Sequence, residues 1–224
     1  MSRSVLLLAG GASSRLGRNK ALAEVGGRTV LSRVVAAARA ALSDDDPDIL
    51  LSVRDTAPFI DAFQADPDHH LAGVRFVLDE VPDGGPVAGL AAGLTAATGE
   101  SVAVVAADLP FVTGDLIAGL LARLEEDPDV DAVVPTVNGR DQTLCAAFRA
   151  RVAGVAASLV GGAVGRADGA VSGAGPSVVS LVESLQVRRA DEVAGYGAAE
   201  LAVLCRGIDT LADLEWARER AGLT

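Results

Sequence analysis

Unbroken apolar runs alternate with helical stripes along this chain, and the alternation predicts its architecture. Residues 5–9 are apolar without interruption and read as a buried strand. After an extended piece and a turn over 20–27, Leu31, Val34, Val35, Ala38 and Leu42 recur at helical spacing behind Thr29, a suitable N-cap. The run Asp44-Asp45-Asp46-Pro47 ends that helix and reads as a solvated loop. Further strands are expected at 49–53, 74–78, 101–107 and 131–135, with helices at 57–65, at 86–97 and after Thr113. The last of these carries a stripe of Leu116, Ile117, Leu120, Leu121 and Leu124. Strand–helix–strand units with short links imply right-handed crossovers. The expected class is α/β, a mostly parallel central sheet flanked by helices on both faces, with residues 1–224 as one domain.

The second half is less regular. Glycine recurs at 154, 161, 162, 165, 169, 173 and 175, so a mobile loop or a loosely packed hairpin is expected over 152–176. It is either a closure over a substrate or a mere insertion. A helix is expected at 176–185, strands at 186–189 and 201–205, and a terminal helix through Trp216.

Composition narrows the core and the partners. Half of the residues are apolar but only 3% are aromatic, so the core must be mostly Val, Leu and Ala. The net charge of −11 argues against general nucleic-acid binding, which needs a basic face. No run approaches the roughly 20 apolar residues of a membrane helix. Met1-Ser2-Arg3-Ser4 leads straight into the first strand, so no secretion leader is expected and the cytoplasm is the expected location. Cys145 and Cys205 both lie in apolar runs and read as small buried hydrophobes in a reducing compartment. His69 and His70 read as surface residues, because adjacent side chains diverge and the chain has no other histidine.

Candidate chemistry concentrates after the first strand. Gly10 and Gly11 permit positive φ and close approach, and unpaired N–H groups in such a turn make an anion site. Arg15, Arg18 and Lys20 follow, against an acidic background. The segment therefore reads as a loop that wraps a triphosphate. It is neither a P-loop nor a dinucleotide fingerprint: no Ser or Thr follows Lys20, and Gly10, Gly11 and Gly17 have the wrong spacing. Asp108 ends a central strand, where open α/β sheets bind ligands. It could cap the next turn; beside a triphosphate it reads as a Mg²⁺ ligand. Ser52 and Arg54 lie at another strand's C-terminal end.

These residues resemble the signature of nucleotidyltransferases with the nucleotide-diphospho-sugar transferase (Rossmann-like) fold. Leu8, Ala9, Gly10, Gly11, Ser13, Arg15, Leu16, Gly17 and Lys20 occupy every fixed position of its Leu-Ala-Gly-Gly-x-Ser-x-Arg-Met/Leu-Gly-x-x-Lys pattern. Gly85-Pro86-Val87-Ala88-Gly89, Asp108-Leu109-Pro110, the 139–144 segment and the 207–214 ending narrow the resemblance to the molybdenum cofactor guanylyltransferase family. Thr143 and Leu211 stand where that family usually has Pro, and Ser52 where it commonly has Asn.

The resemblance implies Mg²⁺-dependent transfer of GMP from GTP to molybdopterin bearing molybdenum, with pyrophosphate released. It implies Arg15, Lys20 and Asp108 as catalytic residues. Nucleotide binding would fall to Leu8, Ala9, Gly10, Gly11, Lys20, Ser52, Asp79 and Asp108, with Asp108 the metal ligand. Residues 1–110 would hold the nucleotide and 111–224 the acceptor. A molybdoenzyme or its chaperone would receive the product. Asp209 would be a second metal ligand, or would lead into a helix capped through Thr210. Three other readings stay open: a cytidylyltransferase acting on the same pterin, a nucleotidyltransferase for another small phosphate, and a non-catalytic nucleotide-binding accessory protein.

Overall fold

The unbroken apolar runs become adjacent strands of one sheet. A computed structural model describes residues 1–9, 19–42, 46–64, 71–79, 81, 84–164 and 176–222. Asp44, Asp45, His69 and His70 lie outside the described residues.

The chain begins with β1 (Arg3–Leu8), the short strands β2 (Glu24–Val25) and β3 (Arg28–Thr29), and helix α1 (Val30–Leu42). Next come β4 (Asp48–Val53), α2 (Ala57–Gln64), β5 (Arg75–Leu78), α3 (Gly85–Ala96) and β6 (Ser101–Ala106). The middle is α4 (Gly114–Glu125), β7 (Ala132–Val137), β8 (Arg140–Asp141) and β9 (Cys145–Arg149). The last third is α5 (Ala153–Val164), α6 (Val178–Glu183), β10 (Val187–Ala190), α7 (Ala198–Leu204) and α8 (Leu211–Gly222). The sheet runs β10-β7-β9-β6-β1-β4-β5, with β8 paired to β7. Strands β5, β4, β1 and β6 are parallel neighbours, whereas β9 runs antiparallel between β6 and β7.

Both faces of the sheet are covered, as the run-like strands require. Val5 and Leu7 of β1 join a core with α1, α4 and part of α8, while Leu6 points into a second core with α3, α5 and α6. The expected α/β class, with a mostly parallel sheet and helices on both faces, is what the chain forms. Local signals act where expected: Thr29 accepts from the Ser32 amide at 3.1 Å and Thr113 from the Leu116 amide at 3.3 Å, starting α1 and α4. The β2–β3 turn needs positive φ at both Gly26 (59°) and Gly27 (76°), which glycine takes without strain.

Two expectations are corrected. The glycine-rich stretch is not a loop or hairpin throughout: 153–164 is helix α5, which seats Ala156 and Val160 in the second core. Its glycines at 154, 161 and 162 face open space, so they cost entropy but remove no packing. Residues 165–175 lie outside the described residues. The expected strand at 201–205 is instead helix α7, which buries Leu201 and Leu204 one turn apart. Among the described residues no helix is long and apolar enough to cross a membrane.

Candidate active site

Strand register brings the predicted site residues to one edge of the sheet. Leu8, the last residue of β1, pairs with Ser52 of β4 on one side and with Ala106 of β6 on the other. Ser52 pairs in turn with Val77 of β5, two residues before Asp79. Asp108 lies two residues past Ala106. The ladder runs on beyond the strands: the Ala9 amide donates to the Ser52 carbonyl at 2.9 Å, Ala107 to Leu8 at 3.0 Å, and Asp79 to Val53 at 2.9 Å. Leu8, Ala9, Ser52, Asp79 and Asp108 therefore share the C-terminal edge of four parallel strands, the ligand-binding edge of such sheets. Gly10, Gly11 and Arg15 lie outside the described residues.

Lys20 opens a single 3₁₀ turn (Lys20–Leu22) capped by Asn19, whose side chain accepts from the Ala21 amide at 3.1 Å. Buried Ala21 and Ala23 anchor the turn in the core. The Lys20 ammonium lies 4.0 Å from Asp108 Oδ2 and donates to Asp209 Oδ1 at 2.5 Å. Residues from opposite ends of the chain thus meet over β6. Burial pushes the Asp108 carboxyl above its ordinary pKa; Lys20 opposes the rise and Asp209 adds to it. Two acids sharing one ammonium, one of them half-buried, leave negative charge for a cation to balance.

Asp209 is held by the helix that follows it. Thr210 caps α8: its hydroxyl accepts from the Asp213 amide at 3.2 Å, while Asp213 Oδ2 accepts from the Thr210 amide at 2.9 Å. This reciprocal pair is a capping box, with the acid three residues past the cap. The same Oδ2 accepts from the Asp209 amide at 3.2 Å, so the Asp209 side chain is not the cap and stays directed at Lys20. A hydrogen bond from Arg206, with further ones from the Thr210 side chain and the Thr210 and Asp209 amides, holds the Asp213 carboxyl at a pKa of about 2 although burial pulls upward. The carboxylate is therefore charged throughout the physiological range. The Thr210-x-x-Asp213 spacing was the available sequence signal for this anchor.

A second polar pocket forms over β4 and β5. The Asp79 carboxylate is almost wholly buried, with 3% of the side chain exposed; one oxygen accepts from the Val81 amide at 3.3 Å and the other lies 3.9 Å from Arg54 Nε. Ser52 is buried beneath α3, so close that a Cβ at Gly89 would stand 2.7 Å from its hydroxyl. The Arg54–Asp79 pairing has no signal in the sequence, because the two residues follow separate strands.

On the other side of Asp108 a cleft of about 280 Å³ opens, lined by Asp108, Asp209, Gln142, Leu144, Cys145 and Cys205 among others. Gln142 is fixed by its amide, which donates to the Pro135 carbonyl at 2.8 Å, and its side chain donates to the Arg140 carbonyl at 3.0 Å. Asp141 is paired with Arg189 at 3.0 Å. Cys145 is buried as expected, but Cys205 is half-buried and lines the cleft. A strand there would have packed it away; the end of α7 turns it outward.

A lysine and two acids at the open end of a parallel sheet, with a recessed polar pocket beside them, is the plan of a nucleotidyltransferase. Solved structures of that class superpose over nearly the whole chain. A molybdopterin-guanine dinucleotide biosynthesis protein A from Archaeoglobus fulgidus aligns with a TM-score of 0.72 at 19% identity, covering 99% of this chain and 100% of its own. A 2-C-methyl-D-erythritol 4-phosphate cytidylyltransferase from Thermus thermophilus aligns with a TM-score of 0.63 at 22% identity, covering 99% and 100%. At such identities the likeness establishes the fold.

Residues 5–171 match the MobA-like NTP transferase domain, and the chain belongs to that family. A Bacillus cereus protein named probable molybdenum cofactor guanylyltransferase is 31% identical over 150 residues, covering 66% of this chain and 68% of its own length. A Methanosarcina mazei protein of the same name is 34% identical over 140 residues, covering 59% and 57%.

Proposed function

We propose that this nucleotidyltransferase acts in molybdenum cofactor synthesis, moving GMP from GTP to molybdopterin that carries molybdenum. The observation that carries the reading is the convergence of Lys20, Asp108 and Asp209 beside the cleft, with the Asp79 pocket on the same sheet edge.

The donor set suits magnesium, which takes oxygen ligands, commonly one or two carboxylates together with substrate phosphates. Asp108, with Asp209 beside it, would hold the ion, which supplies charge neutralisation at the α-phosphate.

An oxygen of the acceptor's terminal phosphate would attack the α-phosphorus of GTP, forming one P–O bond as the bond to the β-phosphate breaks and pyrophosphate leaves. A phosphate monoester has a second pKa of about 6, so the nucleophile is already ionised and needs no general base. Lys20 and Arg15, with the Gly10 and Gly11 amides, would neutralise the departing pyrophosphate. Leu8 and Ala9 would meet the base through their backbone, and Asp79 would accept from the guanine N1–H and 2-amino groups. The cleft beyond Asp108 would take the acceptor, and the product would pass to a molybdoenzyme or its chaperone.

The test is pyrophosphate release on adding molybdenum-bearing molybdopterin to the protein with GTP and Mg²⁺. Lys20→Ala and Asp108→Ala should each lower turnover on the order of 10²–10³-fold with an unchanged circular dichroism spectrum. Wild-type rates in both variants would end this assignment. A panel of GTP, CTP and ATP separates a cytidylyltransferase from the favoured reading.

A further inference from the structure

The two acids that meet at Lys20 stand on separate loops, and a stack of side chains ties those loops together. Asp108 follows β6, with Phe111 three residues further on; Asp209 lies between α7 and α8. The backbones touch directly. The Ile208 amide donates to the Asp108 carbonyl at 3.1 Å, and a Cβ at Gly207 would stand 3.3 Å from Asp108 Oδ1. Side chains make a second link. The Arg206 guanidinium lies 4.0 Å from the ring centre of Trp216 on α8. The Trp216 ring in turn meets Phe111 edge-on, with centres 5.3 Å apart and planes at 83°. Arg206 also donates to Asp213 Oδ1 at 2.8 Å, while Asp213 Oδ2 accepts from the Asp209 amide. Arg206 therefore touches the supports of both acids: Trp216, which leads to the Asp108 turn, and Asp213, which holds the Asp209 backbone. The chemistry proposed above uses neither Arg206 nor Trp216.

We propose that Arg206 and Trp216 are positioning residues: their stack holds the Asp209 loop against the Asp108 turn, and so keeps the two carboxylates placed to share one divalent cation. The inference rests on the proposed reading of Asp108 and Asp209 as the acids that hold magnesium.

The residue types suit this work. A guanidinium is planar and weakly hydrated, so one face can lie on an indole while its edge donates to a carboxylate. An ammonium cannot do both. Groups that orient metal ligands without touching the ion typically change metal affinity by about 10–100-fold when removed. Charge alone predicts the opposite sign. Arg206 is a cation near two acids, and deleting it without moving them would favour a bound cation. The direction of the change therefore separates positioning from electrostatics.

The experiment titrates the full-length chain with Mn²⁺ in place of Mg²⁺, first alone and then with GTP, following the electron paramagnetic resonance of the free ion. Arg206→Ala should weaken Mn²⁺ binding by about 10–100-fold. Arg206→Lys, which keeps the charge but not the planar face, should fall between that variant and wild type. Trp216→Ala should match Arg206→Ala, and Trp216→Phe, which keeps a ring between its neighbours, should recover most of the loss. The Arg206 side chain is 43% exposed, so its removal should shift the melting temperature by only about 2–4 °C. Emission of Trp216, the single tryptophan of the chain, should change in free Arg206→Ala, since the stacked cation is gone. Should Trp216→Ala fail to fold, the exposed Arg206 still decides the matter. Mn²⁺ affinity in Arg206→Ala equal to or above wild type overturns the positioning role alone. Wild-type protein that binds Mn²⁺ neither alone nor with GTP overturns the magnesium reading together with it.

Discussion

At the scale of single residues, the sheet edge carries two separate polar groups. Lys20, Asp108 and Asp209 gather charge in one place; Ser52 and Asp79 form a recessed polar pocket two and three strands away from Asp108. The Lys20–Asp209 pair is partly open to water, with 67% of the Asp209 side chain exposed, so it contributes little to stability. Under the proposed function its role would be placement, which a polyphosphate would exchange for its own oxygens at small cost. Asp79 is different: it is recessed, a carboxylate can only accept hydrogen bonds, and guanine alone of the common bases presents two adjacent donors to it. Asp79→Asn should therefore weaken GTP on the order of 10–100-fold, the worth of charged hydrogen bonds, and leave CTP and ATP almost unaffected. Calorimetric titration of the three nucleotides decides it: equal losses for all would show that Asp79 does not read the base. Asp79 and Asp108 were legible as strand-end carboxylates because each follows an apolar run, and Lys20 as the cation that closes the glycine-rich segment. The partners were not: Lys20 and Asp209 lie 189 positions apart, and only the folded chain brings them together.

At the scale of elements, legibility followed how strongly a segment is constrained by its neighbours. Strands β1, β4 and β6 are buried on both faces, so their apolar runs had no competing reading. Helix α7 was misread because a run of five apolar residues carries no period of its own. Helix α5 was misread because glycine density raises the cost of ordering without forbidding a helix, and contact with α3 supplies what propensity lacks. That helix–helix and helix–sheet contact makes α3 a sensitive element. Its Gly93 lies directly over β1, where an added Cβ would stand 2.3 Å from two methyl carbons of Leu6. Leu6 is fully buried, so its side chain would have to shift among packed neighbours. Gly93→Ala should thus cost about 1–3 kcal/mol by overpacking, despite alanine's better helix propensity. Urea unfolding measures this; a midpoint at or above wild type would mean that α3 can slide on the sheet.

At the scale of the molecule, the two ends of the chain close on each other through charge as well as apolar contact. Helix α8 returns to the β2–β3 turn, where Arg218 donates to the Glu24 carbonyl at 3.1 Å. At the opposite edge of the sheet, Asp48 gathers hydrogen bonds from Ser4, Thr98 and Arg75, which outweigh burial and hold its pKa below normal. A hydrogen bond from Arg3 lowers Glu125 likewise, against a burial penalty. With Asp213 at about 2, three carboxylates among the described residues are depressed on folding. Each stabilises the fold fully above its unfolded pKa of about 4 and loses that contribution as pH falls through the folded value. Asp108 has the opposite sign, because its raised pKa makes acidification relieve a penalty. Among the described residues, one raised carboxyl against three depressed ones leaves acid destabilising. The melting temperature should therefore be nearly level between about pH 7 and 5 and fall steeply below about pH 4. Asp213→Asn should melt below wild type at neutral pH, because the charged half of the capping box is gone. The two curves should converge towards pH 2, where the wild-type carboxylate is itself half protonated. A gap that persists unchanged to pH 2 would place Asp213's contribution in packing rather than in charge.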